Sequence, residues 1–100
     1  MKVIADICVI PNTGRTSVRE EVATAHRILK ATGLPVHLHG YGTNIEGDFD
    51  LVFAALRKVH EKLHAQGATR ISTTIRLGTR TDKDQSIEDK IRAVHEHLGD

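Results

Sequence analysis

The stretch that decides the fold is Val36-His37-Leu38-His39-Gly40-Tyr41-Gly42-Thr43-Asn44-Ile45-Glu46-Gly47-Asp48. Val36 and Leu38 point one way and His37, His39 and Tyr41 the other, the period-two alternation of a strand. After the glycine at 42, Thr43 to Glu46 form the second arm of a hairpin, expected to be short. Gly47 and Asp48 then lead into a helix. Two strands joined by a tight turn therefore sit in mid-chain, and what flanks them settles the topology.

Working outward, both flanks are helical. Upstream, Ser17 with Glu20 reads as a capping box, and Val18, Val22, Ala25 and Leu29 follow at helical spacing. Gly33 and Pro35 stop that helix. Downstream, Val52, Leu56, Val59 and Leu63 form a second apolar stripe, ended by Gly67. Beyond the helices lie two more alternating segments, residues 2–10, with Pro11 as their expected end, and residues 70–77. Ser86 with Asp89 caps a last helix striped by Ile87, Ile91, Val94 and Leu98. The order β-α-β-β-α-β-α predicts an α+β, ferredoxin-like βαββαβ sandwich with an additional C-terminal helix, in a single domain over residues 1–100.

Two crossover helices cover one face of such a sheet and leave the other open. Alternation assigns to the open face Asp6, Cys8, His37, His39, Tyr41, Asn44, Glu46, Arg70, Ser72, Thr74 and Arg76. With Ile4 and Ile10 among them, this is not a plain solvated surface; it packs against another copy of the chain or lines a pocket. With the first strand central, Asp6, Glu46, Thr74 and Arg76 are expected to be neighbours. Carboxylates flanked by hydroxyls suit a cationic ring or an amino group. The plainer reading of the same residues is a cross-strand ion pair from Asp6 to Arg76.

Composition narrows the function. Fourteen basic and thirteen acidic residues leave a formal charge of +1, and there are only three aromatic side chains, Tyr41, Phe49 and Phe53. Neither a basic footprint nor a base-stacking platform is present, so no nucleic-acid partner is expected. Cys8 is the lone cysteine, which fits a reducing, cytoplasmic setting. No apolar run approaches the length of a membrane span, and the N-terminal residues do not read as a secretory signal.

Three motifs are weighed and set aside. His60-Glu61-Lys62-Leu63-His64 matches the zinc-protease pattern, but Leu63 belongs to the apolar stripe and the chain has little left for a third ligand and a cleft. His37 and His39 could pair on a metal, yet no cysteine or carboxylate recurs beside them, so an interface or ligand wall is the simpler role. Cys8, next to a carboxylate in the strand, lacks the electropositive setting that activates a thiol. No metal, cofactor or catalytic residue is therefore expected. The main alternative is a small dimeric enzyme with His37 and His39 as an acid–base pair. A purely structural or regulatory homo-oligomer is the other.

The string Ala5-Asp6-Ile7-Cys8-Val9-Ile10-Pro11, followed by Thr16-Ser17-Val18 and Gly42-Thr43-Asn44-Ile45-Glu46-Gly47-Asp48, resembles the thiamine-binding protein family of the YkoF-like superfamily. Lys58-Val59-His60-Glu61, Gly67-Ala68-Thr69-Arg70 and Thr73-Thr74-Ile75-Arg76 extend the likeness over nearly the whole chain. The resemblance implies a ferredoxin-like fold, dimers or tetramers, and non-catalytic binding of thiamine or its hydroxymethylpyrimidine half. It places Thr43 and Glu46 on the family's T-x-x-E. Asp6, Cys8 and Arg76 fall where glutamate, serine and lysine are more usual, and Gly78-Thr79-Arg80 replaces a more acidic run. The ligand-binding set is thus Asp6, Cys8, Thr43, Asn44, Glu46, Thr74 and Arg76. A ligand of thiamine's size held by such groups would bind at about −7 kcal/mol, in the micromolar range.

Overall fold

The computed structural model describes residues 1–99. The elements are β1 (Lys2–Asn12), α1 (Arg19–Lys30), β2 (Val36–His39), β3 (Gly42–Asp48), α2 (Phe49–Ala65), β4 (Arg70–Gly78) and α3 (Ile87–Leu98). The four strands form one antiparallel sheet in the order β2-β3-β1-β4. This is the ferredoxin-like arrangement with an extra C-terminal helix.

The core lies between the sheet and the α1–α2 layer. Val3, Ala5 and Ile7 of β1 and Ile45 of β3 pack against Ala25 and Leu29 of α1 and Val52, Ala55, Val59 and Leu63 of α2. The odd-numbered positions of β1 face the helices because alternate side chains of a strand leave opposite faces. Full burial of a side chain such as Leu29, Ile45 or Leu63 stabilises the fold by about 1.5–3 kcal/mol each.

Local signals mostly act as their chemistry suggests. Asp48 caps α2 by accepting from Asp50 N at 3.1 Å and Leu51 N at 3.4 Å. Ser86 and Asp89 form a reciprocal capping box on α3. At three places the structure differs from the reading above. α1 has Val18 at its N-cap without a side-chain cap; Ser17 Oγ instead accepts from Arg19 N at 3.4 Å. The hairpin arms are reversed in length, with four residues in β2 and seven in β3. β1 does not stop at Pro11 but continues to Asn12, with Pro11 opposite Ile71. Past Ile7 the pairing with β3 has ended, so β1 is a one-sided edge there, and an edge tolerates a residue without an N–H.

Candidate functional site

The early end of the β1–β3 ladder leaves a gap. Residues 8–12 of β1 pair only with β4, while the β2–β3 turn curls away at Gly40 and Tyr41. Between this bare edge, the turn and α1 lies an apolar slot of about 250 Å³. Its walls are Ile7 to Ile10, then Val18, Val22, Ala25 and Leu29 of the α1 side, then Leu38 to Thr43. Gly42 makes the geometry possible. A Cβ there would collide with the Ile7 carbonyl oxygen, so only glycine lets β3 enter the sheet this close to β1.

Two polar groups of the expected set line the slot. Thr43 stands opposite Ile7 on the helix side of the sheet and is 6 % exposed. Among the described residues its hydroxyl has no hydrogen-bond partner, which leaves it available to something in the slot. Cys8 borders the slot and is half-buried with a free thiol, but, in register with Thr74, it belongs to the open-face side of β1.

The open face holds a different group. Asp6 lies between Asn44 and Arg76 in register. Its Oδ1 meets His39 Nε2 at 2.6 Å, and its Oδ2 accepts from Arg76 Nη2 at 3.0 Å. The hydrogen bond from His39, reinforced by that from Arg76, holds the Asp6 carboxyl below the ordinary carboxylate range against the opposing effect of desolvation. His39 Nδ1 accepts from Tyr41 N at 3.2 Å, so its Nε2 carries the proton given to Asp6. His39 therefore belongs to both places: its ring ties the open-face carboxylate to the turn that walls the slot.

The expected set does not converge on one point. Glu46 faces the open side opposite Ile4, but it is 5 % exposed and already committed. Its Oε2 accepts from Ile87 N at 3.2 Å and faces Lys2 Nζ at 3.6 Å. It is a clasp for α3, not a companion of Asp6. Thr74, opposite Cys8, is exposed on the open face, whereas Thr43 looks toward the helices, so the two hydroxyls do not share a site. Of the seven residues, Thr43 faces the slot; Asp6, Cys8, Asn44, Thr74 and Arg76 share the open face, Cys8 also bordering the slot; Glu46 stands apart.

Sequence reasoning missed His39 as the link and missed Val18 and Val22 as slot walls. Val22 carried a signal: it is on the apolar stripe of α1, yet 36 % of it stays exposed because it fronts the slot.

The histidines of the zinc-like pattern have other work. His60 Nε2 meets Thr73 Oγ1 at 2.7 Å, tying α2 to β4, and His64 Nδ1 donates to the Ala68 carbonyl at 2.7 Å. Among the described residues no group of three or more metal-ligating side chains occurs. A larger crevice, about 500 Å³, lies at the far end of β1 around Lys2, Ile4 and residues 78–85. It is a more polar space, and two of its cations are paired, Lys2 with Asp84 at 2.9 Å and Arg80 with Asp82 at 2.8 Å. The slot, with its apolar walls and the Thr43 hydroxyl facing it, is the better small-molecule site. No helix among the described residues is long and apolar enough to cross a membrane.

This sheet order, with a slot where β1 outruns its neighbour, defines a ferredoxin-like α+β protein with a small apolar pocket beside β1. Comparison with known proteins gives the family. The model of the thiamine-binding protein family matches residues 5–95, and the chain belongs to that family. It is 47 % identical over 98 residues to a UPF0045 protein of Synechocystis sp., covering 98 % of this chain and 81 % of the relative. A UPF0045 protein of Eremothecium gossypii is 39 % identical over 98 residues, covering 97 % and 93 %. Among solved structures, a hypothetical protein of Methanocaldococcus jannaschii superposes with a TM-score of 0.87 at 30 % identity, over 95 % of this chain and 97 % of the other. A Thermotoga maritima protein described as a candidate thiamine biosynthesis/salvage protein superposes with a TM-score of 0.82 at 20 % identity, over 94 % and 99 %. At that identity the likeness speaks for the fold.

Proposed function

We propose that this protein binds thiamine without transforming it, and that the slot between α1, β1 and the β2–β3 turn takes the pyrimidine half. The observation that carries this reading is Thr43, largely buried on the wall of an apolar slot, with a hydroxyl that makes no hydrogen bond among the described residues. A volume of about 250 Å³ is just below the usual range of small-molecule sites, which suits one heteroaromatic ring better than two. The thiazolium would then remain outside, where the ionised Asp6 beside His39 offers a counter-charge. Family membership supports a thiamine-related role, and the Thermotoga protein's description points the same way. The role is that of a carrier, buffer or sensor in the cytoplasm.

Calorimetric titration with thiamine, hydroxymethylpyrimidine and thiamine diphosphate tests it. Saturable micromolar binding of thiamine or the pyrimidine supports the reading; no heat from any of them up to millimolar concentration contradicts it.

The contact of His39 with Asp6 favours a second reading, an oriented acid–base pair serving a small enzyme. A turnover whose pH profile is lost in His39→Ala would be required to sustain it.

A further inference from the structure

The crevice at the far end of β1 differs from the slot in its charge. Its lining holds Lys2, Arg80, Lys83 and Lys90 and one carboxylate, Asp84. The chain as a whole is nearly balanced, with 14 basic and 13 acidic residues, so four cations around one hollow are a local concentration of positive charge. Two further carboxylates reach these cations from outside the lining. Glu46 Oε2 stands 3.6 Å from Lys2 Nζ, and Asp82 pairs with Arg80. Among the described residues Lys83 and Lys90 are in no ion pair. The crevice is independent of the slot, since no residue lines both.

Asp84 is the part that can move. Its Oδ1 accepts from Lys2 Nζ at 2.9 Å, yet its side chain is 85 % exposed. So open an ion pair is worth little, and its carboxylate exchanges readily with water. Asp84 thus occupies the position of an anion on Lys2 without being fixed there. Beneath it the crevice has an apolar floor. Ile4 is half-buried and stands opposite Gly78, where a Cβ would meet nothing within 4 Å. Thr79 and Thr81 add hydroxyls to the rim. The volume, about 500 Å³, lies within the ordinary range of small-molecule sites.

We propose that this crevice binds a small organic phosphate monoester, whose phosphate displaces Asp84 from Lys2 and whose organic part rests on Ile4 and Gly78. Phosphate fits better than carboxylate on charge. A monoester carries about two negative charges at neutral pH and three strong acceptor oxygens, enough to meet Lys2, Lys83 and Lys90 together. With Asp84 turned to water, the four cations face only Glu46 and Asp82, and the two charges left over match that dianion.

Titration of the ¹⁵N-labelled full chain with phenyl phosphate tests this, in roughly 25 mM salt, where surface charges are weakly screened. Saturable shifts are expected at Lys2, Lys83, Asp84 and Lys90, with a dissociation constant of about 1 mM or below. Inorganic phosphate, which has nothing to lay on Ile4, should bind at the same amides at least about 3-fold more weakly. Asp84→Asn frees Lys2 and should tighten phenyl phosphate about 3-fold, whereas Lys83→Gln combined with Lys90→Gln should weaken it at least about 5-fold. These three positions are exposed, so each variant keeps its fold. Gly78→Leu fills the crevice from a backbone that is not left-handed, and should abolish binding of phenyl phosphate. No saturable shift up to ~20 mM ligand, or shifts centred on Val9 and Thr43 in the slot, would overturn the proposal. The same holds if sodium chloride of equal ionic strength reproduces the shifts, if benzoate binds as tightly, or if neither Asp84→Asn nor the lysine pair alters the affinity.

Discussion

Thr43 and Asp6 are separate tools, although adjacent strands bring them close. Thr43 offers the slot a hydroxyl with no hydrogen-bond partner among the described residues, and Thr43→Val keeps its shape while removing the donor. If the slot takes the pyrimidine, this variant should bind thiamine about 5- to 10-fold more weakly, the worth of one neutral hydrogen bond, with its thermal midpoint little changed. Calorimetry and thermal melting together check it. Asp6 acts through charge. Its carboxyl titrates lower in the folded chain than in the unfolded one, because His39 and Arg76 bind the ionised form. Its contribution is therefore fully present above the unfolded value, near 3.9, and is lost as the pH falls through the lower folded value. The stability advantage of the wild type over Asp6→Asn should be constant from pH 5 upward to neutrality and shrink below pH 4. Urea unfolding of both proteins across that range measures it; an advantage that persists undiminished at the acid end would rule out the carboxylate as its source.

At the scale of elements, the slot exists because β1 is longer than its pairing with β3, and the junction is set by Gly42. Gly42→Ala must displace either the β3 entry or the Ile7 peptide, and is expected to cost at least ~2 kcal/mol in urea unfolding. Gly40→Ala, in the same turn but with open space around its Cβ, should cost less than about 1 kcal/mol. Glu46 belongs to this scale too. Glu46→Ala frees the Ile87 amide, so α3 should fray from its N-terminus and exchange its first-turn amides faster, while affinity in the slot is little affected. An unchanged exchange rate at Ile87 would show that the clasp does not hold the helix. The strands and the Ser86–Asp89 capping box were legible in the sequence because period-two alternation and side-chain caps are local chemistry, whereas the box expected from Ser17 and Glu20 gave way to an uncapped start at Val18. The end of β1 was not. Pro11 reads as a stop in isolation, and only the finished sheet reveals that β3 has already left its side.

For the molecule as a whole, the same limit explains the candidate site. Alternation correctly put Asp6, Asn44, Thr74 and Arg76 on one face, since a strand's faces follow from parity alone. It could not say that Glu46, with the right parity, would be covered by α3, because that depends on where a helix forty residues later comes to rest. The same parity left Thr43 off that face; the resemblance joined it with Thr74 in one ligand-binding set, and the register keeps the two hydroxyls on opposite faces. The zinc-like pattern dissolved for a related reason: His60 and His64 have the spacing of ligands, but β4 and the Ala68 carbonyl claim them first.

The account stands most directly on where a ligand lands. Titration of the ¹⁵N-labelled protein with hydroxymethylpyrimidine, followed amide by amide, measures that. The prediction is saturable shifts centred on Cys8, Val9, Val22 and Thr43, with Ile87 and the 78–85 loop unmoved. Shifts gathered instead around Lys2 and the 78–85 loop, or none at millimolar ligand, would contradict the slot as the binding site.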